Sequence, residues 1–385
     1  MRDEIWKKNS YGNAVLFIPS EMSSLFFNIT IKAGSFNDGI KPGLAHFVEH
    51  MVLCVDQNET LNSDILIKGR TLFDKTSYTI CTDNSYKSYH RALLLIEQVA
   101  NGDFLRKTNL NKVKKEILQE YSQKNKLVDY LVESHFLYKA NISCNMPIGL
   151  PEVITNIKFD DIKKYFRTNY YAENIYIGIL GGKKEWGYEI DNLEIRNDRG
   201  EHETKQRNEK IGEKTIAIIL HDFFPALKEI EKNKIYLYVK SNIVHDTEYF
   251  YLNAVEAVSL SFMEYYIELV YGEIIQIQII RYSENNRYIR FISQNTNLVE
   301  QLKCLRENVK SNIWKNDFRK LYIQFNISLK QESFGYQLIN NISEAMVYRE
   351  SVLFNNKILN SIKDKKFLEL YEKSVDYIRE LLHEL

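Results

Sequence analysis

The stretch Gly43-Leu44-Ala45-His46-Phe47-Val48-Glu49-His50-Met51 constrains this chain more than any other. On a helix His46, Glu49 and His50 fall within an arc of ~100°. One helix face can therefore offer two imidazoles to a metal, with Glu49 placed where a carboxylate takes a proton from water. The same residues also fit a buried helix, because Leu44, Phe47, Val48, Met51, Val52 and Leu53 are apolar and two hydrogen-bonded histidines could sit among them. A catalytic zinc centre needs a third protein ligand and an open position for water, and the rest of the chain must supply that ligand.

A length of 385 residues gives a prior of two domains, each large enough for its own core. Lys plus Arg and Asp plus Glu balance at 51 each, so no bulk charge recruits nucleic acid or an acidic membrane. The charged N-terminus has no signal-length apolar run behind it. The most apolar segment, residues 250–280, is interrupted by Glu256, Glu264, Glu268 and Glu273, which argues against a membrane span. Cys54, Cys81, Cys144 and Cys304 are too scattered for a disulfide framework, and a cytoplasmic protein with reduced thiols is expected.

Along the chain, residues 15–18 and 24–32 read as strands around a turn, and residues 33–39 as a glycine loop leading into the His46 helix. An amphipathic segment is predicted over 61–68, ended by Gly69, followed by a strand over 72–80 and a helix over 89–100. The helix formers of 112–124 carry Glu116 and Glu120, four apart and able to share a face. A helix over 159–168 and a strand over 175–180 close this half. The polar, charged run after Lys183 marks a boundary. We therefore expect a catalytic domain over 1–190, a linker over 191–212 and a second domain over 213–385. In the second domain, strands at 215–220, 235–239, 274–282 and 287–293 and a helix over 249–271 echo the first, without a second His-x-x-Glu-His. Arg281-Tyr282 and Arg287-Tyr288 fit alternating strands and read as scaffold. His90, His135, His202, His221, His245 and His383 lack metal-like spacing and read as structural or surface residues.

With these elements in place, the chain resembles the pitrilysin-type (M16-like) zinc peptidases, which include insulin-degrading enzyme and mitochondrial processing peptidase. The likeness is densest from Asn13 to Met51 and continues through Val113-Lys114-Lys115-Glu116-Ile117 and Asn169-Tyr170-Tyr171-Ala172-Glu173-Asn174-Ile175, about half the chain. It implies an α+β fold of two related domains, each a mostly antiparallel or mixed sheet packed with helices. It implies Zn2+ as cofactor, His46 and His50 as metal ligands, Glu116 as the third ligand, with Glu120 one turn on as the alternative, and Glu49 as catalytic base. The implied activity is zinc-dependent cleavage of a small peptide or of the leader of a precursor, as in bacteriocin maturation. The alternatives are a general oligopeptidase and a non-catalytic partner that presents substrate to an active homologue. The family's arginine and tyrosine for substrate binding have no match around Leu269-Val270-Tyr271-Gly272-Glu273. That gap and the short chain imply a homologous partner subunit, as a heterodimer in preference to a homodimer, while the balanced charge implies no nucleic acid.

Overall fold

The computed structural model describes residues 7–54, 65–122, 124–139, 145–195, 216–219, 234–241, 249–283, 286–309, 314–328, 339, 347, 364–383 and 385. The chain divides into two compact units: Met1–Tyr138, Ser143–Asn208 and Glu332–Val352 in the first, and Lys139–Ile142, Glu209–Gln331 and Leu353–Leu385 in the second. Among the described residues the first unit's packing runs to Ile195, which is fully buried, and most of the predicted linker lies outside them. The architecture is α+β, as the sequence implies.

The first sheet is built around β3 (Ser24–Ile31), whose period-two alternation turns Leu25, Phe27, Ile29 and Ile31 into the core, each fully buried. With β1 (Lys7–Lys8), β2 (Ala14–Ile18), β4 (Leu66–Thr71), β5 (Thr76–Asp83) and β6 (Ile175–Leu180) it forms a six-stranded sheet in the order β1-β2-β6-β3-β5-β4. Only β2 and β6 run parallel. Its helices are α1 (Leu44–Val52), α2 (Tyr86–Asn101), α3 (Leu110–Tyr121), α4 (Lys124–Lys139), α5 (Pro151–Asn156) and α6 (Phe159–Asn169). The apolar stripes of α1, α2, α3 and α6 share one core with β3, β5 and β6.

Two readings of the sequence need correction here. The amphipathic segment ended by Gly69 is instead, from Leu66 onward, a strand that runs through the glycine. It pairs antiparallel with β5 and alternates, with Leu66, Lys68 and Arg70 exposed while Ile67, Gly69 and Thr71 face inward. The strand expected over 72–80 begins only at Thr76, because Leu72 to Lys75 form the tight connection between β4 and β5, closed by Leu72 N–H donating to Lys75 O at 2.8 Å. Sequence reasoning also passed over α4.

In the second unit β7 (Ile216–Ile219), β8 (Ile235–Lys240), β9 (Gln276–Ser283) and β10 (Asn286–Ser293) make an antiparallel sheet in the order β7-β8-β10-β9. Helices α7 (Tyr249–Tyr271), α8 (Leu298–Asn308), α9 (Lys315–Ser328) and α10 (Asp364–Leu381) accompany it. Leu237, Val239, Ile289 and Phe291 share a core with Phe262, Met263, Leu302 and Ile378. Arg287 of β10 is buried and pairs through both terminal nitrogens with Glu256 of α7. The same carboxylate accepts from Tyr377 Oη at 2.6 Å, and the guanidinium donates to Ser241 Oγ at 2.9 Å. A buried charge held so completely belongs to the scaffold, as the alternation around Arg287 implies. No described helix is long and apolar enough to cross a membrane. Cys54, Cys81 and Cys304 take part in no disulfide, and Cys144 lies outside the described residues.

The start of α1 is fixed by a cap outside the helix. Asp38 is buried and accepts from the N–H groups of Gly43 and Ala45, each at 2.7 Å, which satisfies donors that helix geometry leaves open. Gly43 turns the chain at φ 89°, and a Cβ there would stand 2.6 Å from the Gly149 Cα. Burial pushes the Asp38 carboxyl up to about 8, against the pull of the N–H groups of Ala45, Gly43 and Leu44. Asp38→Ala should lower the unfolding free energy in urea by about 1–2 kcal/mol. Because the folded pKa lies above the unfolded value, the proton-linked part of this contribution is fully present below about pH 4 and lost as pH rises through about 8. The stability difference between the parent and Asp38→Asn should therefore narrow from pH 4 to pH 8; a difference that widens would mean an ionised cap.

Candidate metal centre

Helix α1 carries His46, Glu49 and His50 on the face predicted from their spacing, and α3 packs beside it. Val113 and Ile117 are the fully buried anchors of α3, and Glu116 and Glu120 stand on the neighbouring stripe. His46 Nε2 and His50 Nε2 lie 3.1 Å apart with their rings edge to face. A single oxygen, Glu120 Oε2, is 3.4 Å from each of these nitrogens.

These three atoms test whether a metal fits. Tetrahedral zinc holds its ligands at about 2.0–2.1 Å, which separates neighbouring ligand atoms by about 3.3–3.4 Å. The triangle of 3.1, 3.4 and 3.4 Å matches one face of such a tetrahedron. Among the described residues it is also where histidine and carboxylate ligand atoms gather closely enough to hold an ion. Burial pulls the His50 pKa down, but its hydrogen bond to Glu120 and the charges of Glu49, Glu120 and Glu116 outweigh burial and leave it above the ordinary value. The site attracts positive charge.

The third member of this triangle is Glu120, where the sequence reading had carried over Glu116. Glu116 Oε2 approaches the other nitrogen of His50, Nδ1, at 3.7 Å, and it sits beside Lys112 at 3.9 Å on the more exposed turn of α3. The two glutamates share a helix face one turn apart, and the axial position of α3 against α1 brings the later one to both Nε2 atoms. His46 and His50 converge as expected. Of the remaining histidines, His90 pairs with Glu189 at 3.0 Å on an exposed surface and His383 is exposed. His202, His221 and His245 lie outside the described residues.

Glu49 stays out of the triangle. Its buried carboxylate reaches β4, where Thr71 Oγ1 donates to Oε2 at 2.8 Å. A Cβ on Gly69 would meet Oε1 at 2.2 Å. Behind it, the buried hydroxyls of Tyr78 and Tyr170 lie 2.7 Å apart, and burial first, then each other and Glu49, holds the Tyr78 pKa far above the phenol range. Sequence reasoning missed Gly69, Thr71, Tyr78 and Tyr170 as neighbours of Glu49. The period-two pattern that puts 69 and 71 on one strand face was available, but not which helix would cover it.

No family model matches this chain, and no curated protein does. Solved structures do. The first half of the periplasmic protease PqqL from Escherichia coli is similar with a TM-score of 0.66 at 14% identity, over 100% of this chain and 89% of that one. Against the longer PqqL structure this chain covers 46% of its length. A protease from Helicobacter pylori has a TM-score of 0.65 at 16% identity, over 98% of this chain and 95% of that one. A peptidase M16 inactive domain from Pseudomonas fluorescens has a TM-score of 0.64 at 13% identity, over 98% and 94%. At such identities the likeness is one of fold, and it corresponds to a half-molecule where the relative is long. The chain has the fold of the M16 peptidases.

Proposed function

We propose that this chain is a zinc-dependent endopeptidase whose metal is held by His46, His50 and Glu120. The observation that carries the reading is the triangle of two Nε2 atoms and one carboxylate oxygen, spaced as ligands of one tetrahedral ion. When bound there, zinc supplies a Lewis acid that lowers the pKa of a water toward ~7 and polarises a peptide carbonyl. Glu49, next to His50 on the same helix, accepts the proton of the attacking water and returns it to the leaving amine. An extended substrate adds to the open edge of β4, the last strand of its sheet and the one that touches Glu49. A small peptide, or the leader of a precursor as in bacteriocin maturation, is the substrate we favour. Its support is the resemblance of this short chain to small bacterial members of that type. A cytoplasmic site of action is part of the same reading.

The rival is a non-catalytic partner of an active homologue, favoured by the likeness to an inactive M16 domain and opposed by the complete set of His46, Glu49, His50 and Glu120. The two differ in chemistry. Glu49→Gln should bind zinc as the parent does and lose peptide hydrolysis by about 10²–10⁴-fold; hydrolysis at the parental rate would end the assignment. Zinc content after dialysis should collapse in Glu120→Gln, whereas Glu116→Gln, a neighbour of His50, should weaken affinity by at most about tenfold. The reverse order would return the ligand to Glu116.

Arg287 of β10 is committed to Glu256. We propose a related partner subunit, in a heterodimer, that supplies arginine and tyrosine contacts to the substrate. Addition of that subunit should raise hydrolysis at least tenfold. Full activity from a preparation shown to be monomeric by sedimentation would exclude it.

A further inference from the structure

We infer that Gly69 and Thr71 of β4 form a seat for the Glu49 carboxylate, and that Thr71 is a positioning residue for this base. The inference deepens the peptidase reading and rests on it for the word base, while the seat itself is a matter of geometry.

Positions 69 and 71 are two apart on a strand and so face the same side, the inward side in the burial pattern of β4. At 69 there is no side chain, and Glu49 Oε1 occupies the space a Cβ would need, 2.2 Å from its ideal position, with Cδ and Cγ at 2.7 and 2.8 Å. At 71 the hydroxyl donates to Oε2 at 2.8 Å. Thr71 is 3% exposed and Glu49 5% exposed, so water does not compete freely for this bond. Tyr78 stands opposite Gly69 in the β4–β5 register and is fully buried, with its hydroxyl against that of Tyr170. This pair closes the inner side. The carboxylate is thus confined by a missing side chain at one oxygen and a hydroxyl donor at the other.

A glutamate side chain has three rotatable bonds, and a base must hold one oxygen within about 3 Å of the proton it removes. With Oε2 engaged by Thr71, Oε1 is the oxygen left for proton transfer. The Thr71 side chain, on the inward face of β4, acts through Glu49.

The test compares Thr71→Val, which keeps the shape and removes the donor, with Thr71→Ser, which keeps the donor. Thr71→Val should lower kcat by about 10–100-fold with KM and zinc stoichiometry unchanged, and Thr71→Ser should restore kcat to within about threefold. Crystal structures give a readout independent of turnover: the Glu49 carboxylate leaves its place over Gly69 in Thr71→Val and keeps it in Thr71→Ser. Should Thr71→Val fold poorly, Gly69→Ala serves instead: its Cβ needs the space Glu49 Oε1 now fills, so it should lower the melting temperature and displace the carboxylate. Parental kcat in Thr71→Val, equal losses in the Val and Ser variants, or an unmoved carboxylate would each overturn the seat. If the parent protein itself cleaves no peptide, the peptidase reading fails, and the carboxylate positions alone decide the seat.

Discussion

Two imidazole nitrogens and a carboxylate oxygen meet within 3.4 Å of one another between α1 and α3, and the rest of the first unit is arranged so that they can. Polar atoms brought this close inside a protein are costly without a compensating charge, and a cation shared by all three removes the cost. The supports are apolar and distant in sequence. Val113 and Ile117 hold α3 in the core that also takes Phe47, Val48 and Met51 from α1, so the relative placement of two hydrophobic stripes sets the spacing of three polar atoms. Asp38 fixes where α1 begins, and with it the turn on which His46 and His50 stand.

Glu49 follows a separate logic. It lies on the same helix face as the histidines, yet its carboxylate turns to the sheet edge, where Gly69 makes room and Thr71 donates a hydrogen bond. In the proposed reading, ligands and base thus answer to different parts of the structure: Glu120 of α3 completes the ligand set, and β4 holds Glu49. Among the described residues the strand that touches Glu49 is also a terminal strand of its sheet, so in the proposed reading substrate docking and the base share one strand.

Much of this was legible from local pattern. The spacing of His46, Glu49 and His50 gave the helix face, the strand pattern of residues 24–32 after a turn gave the central strand to within one residue, and the segment 249–271 gave α7. Less legible were the features that depend on how elements meet. Glu116 and Glu120 are equivalent on the helix that bears them, and only the axial position of α3 against α1 separates them. Residues 61–68 have a polar and apolar mixture that suits either period, and pairing with β5 makes a strand of the part from Leu66 onward. Asp38 caps N–H groups five and seven residues away, beyond the short capping patterns a sequence reveals. Thr71 is 22 residues from Glu49 and became its neighbour through packing alone.

The central claim is that His46, His50 and Glu120 hold one zinc ion. Anomalous diffraction at the zinc edge, from crystals of the full chain equilibrated with zinc, tests it directly. The account predicts a single peak in the first unit, bonded to Nε2 of His46, Nε2 of His50 and a carboxylate oxygen of Glu120, with Glu116 outside bonding distance. A peak ligated by Glu116 in place of Glu120, or no peak between α1 and α3 at saturating zinc, would contradict it.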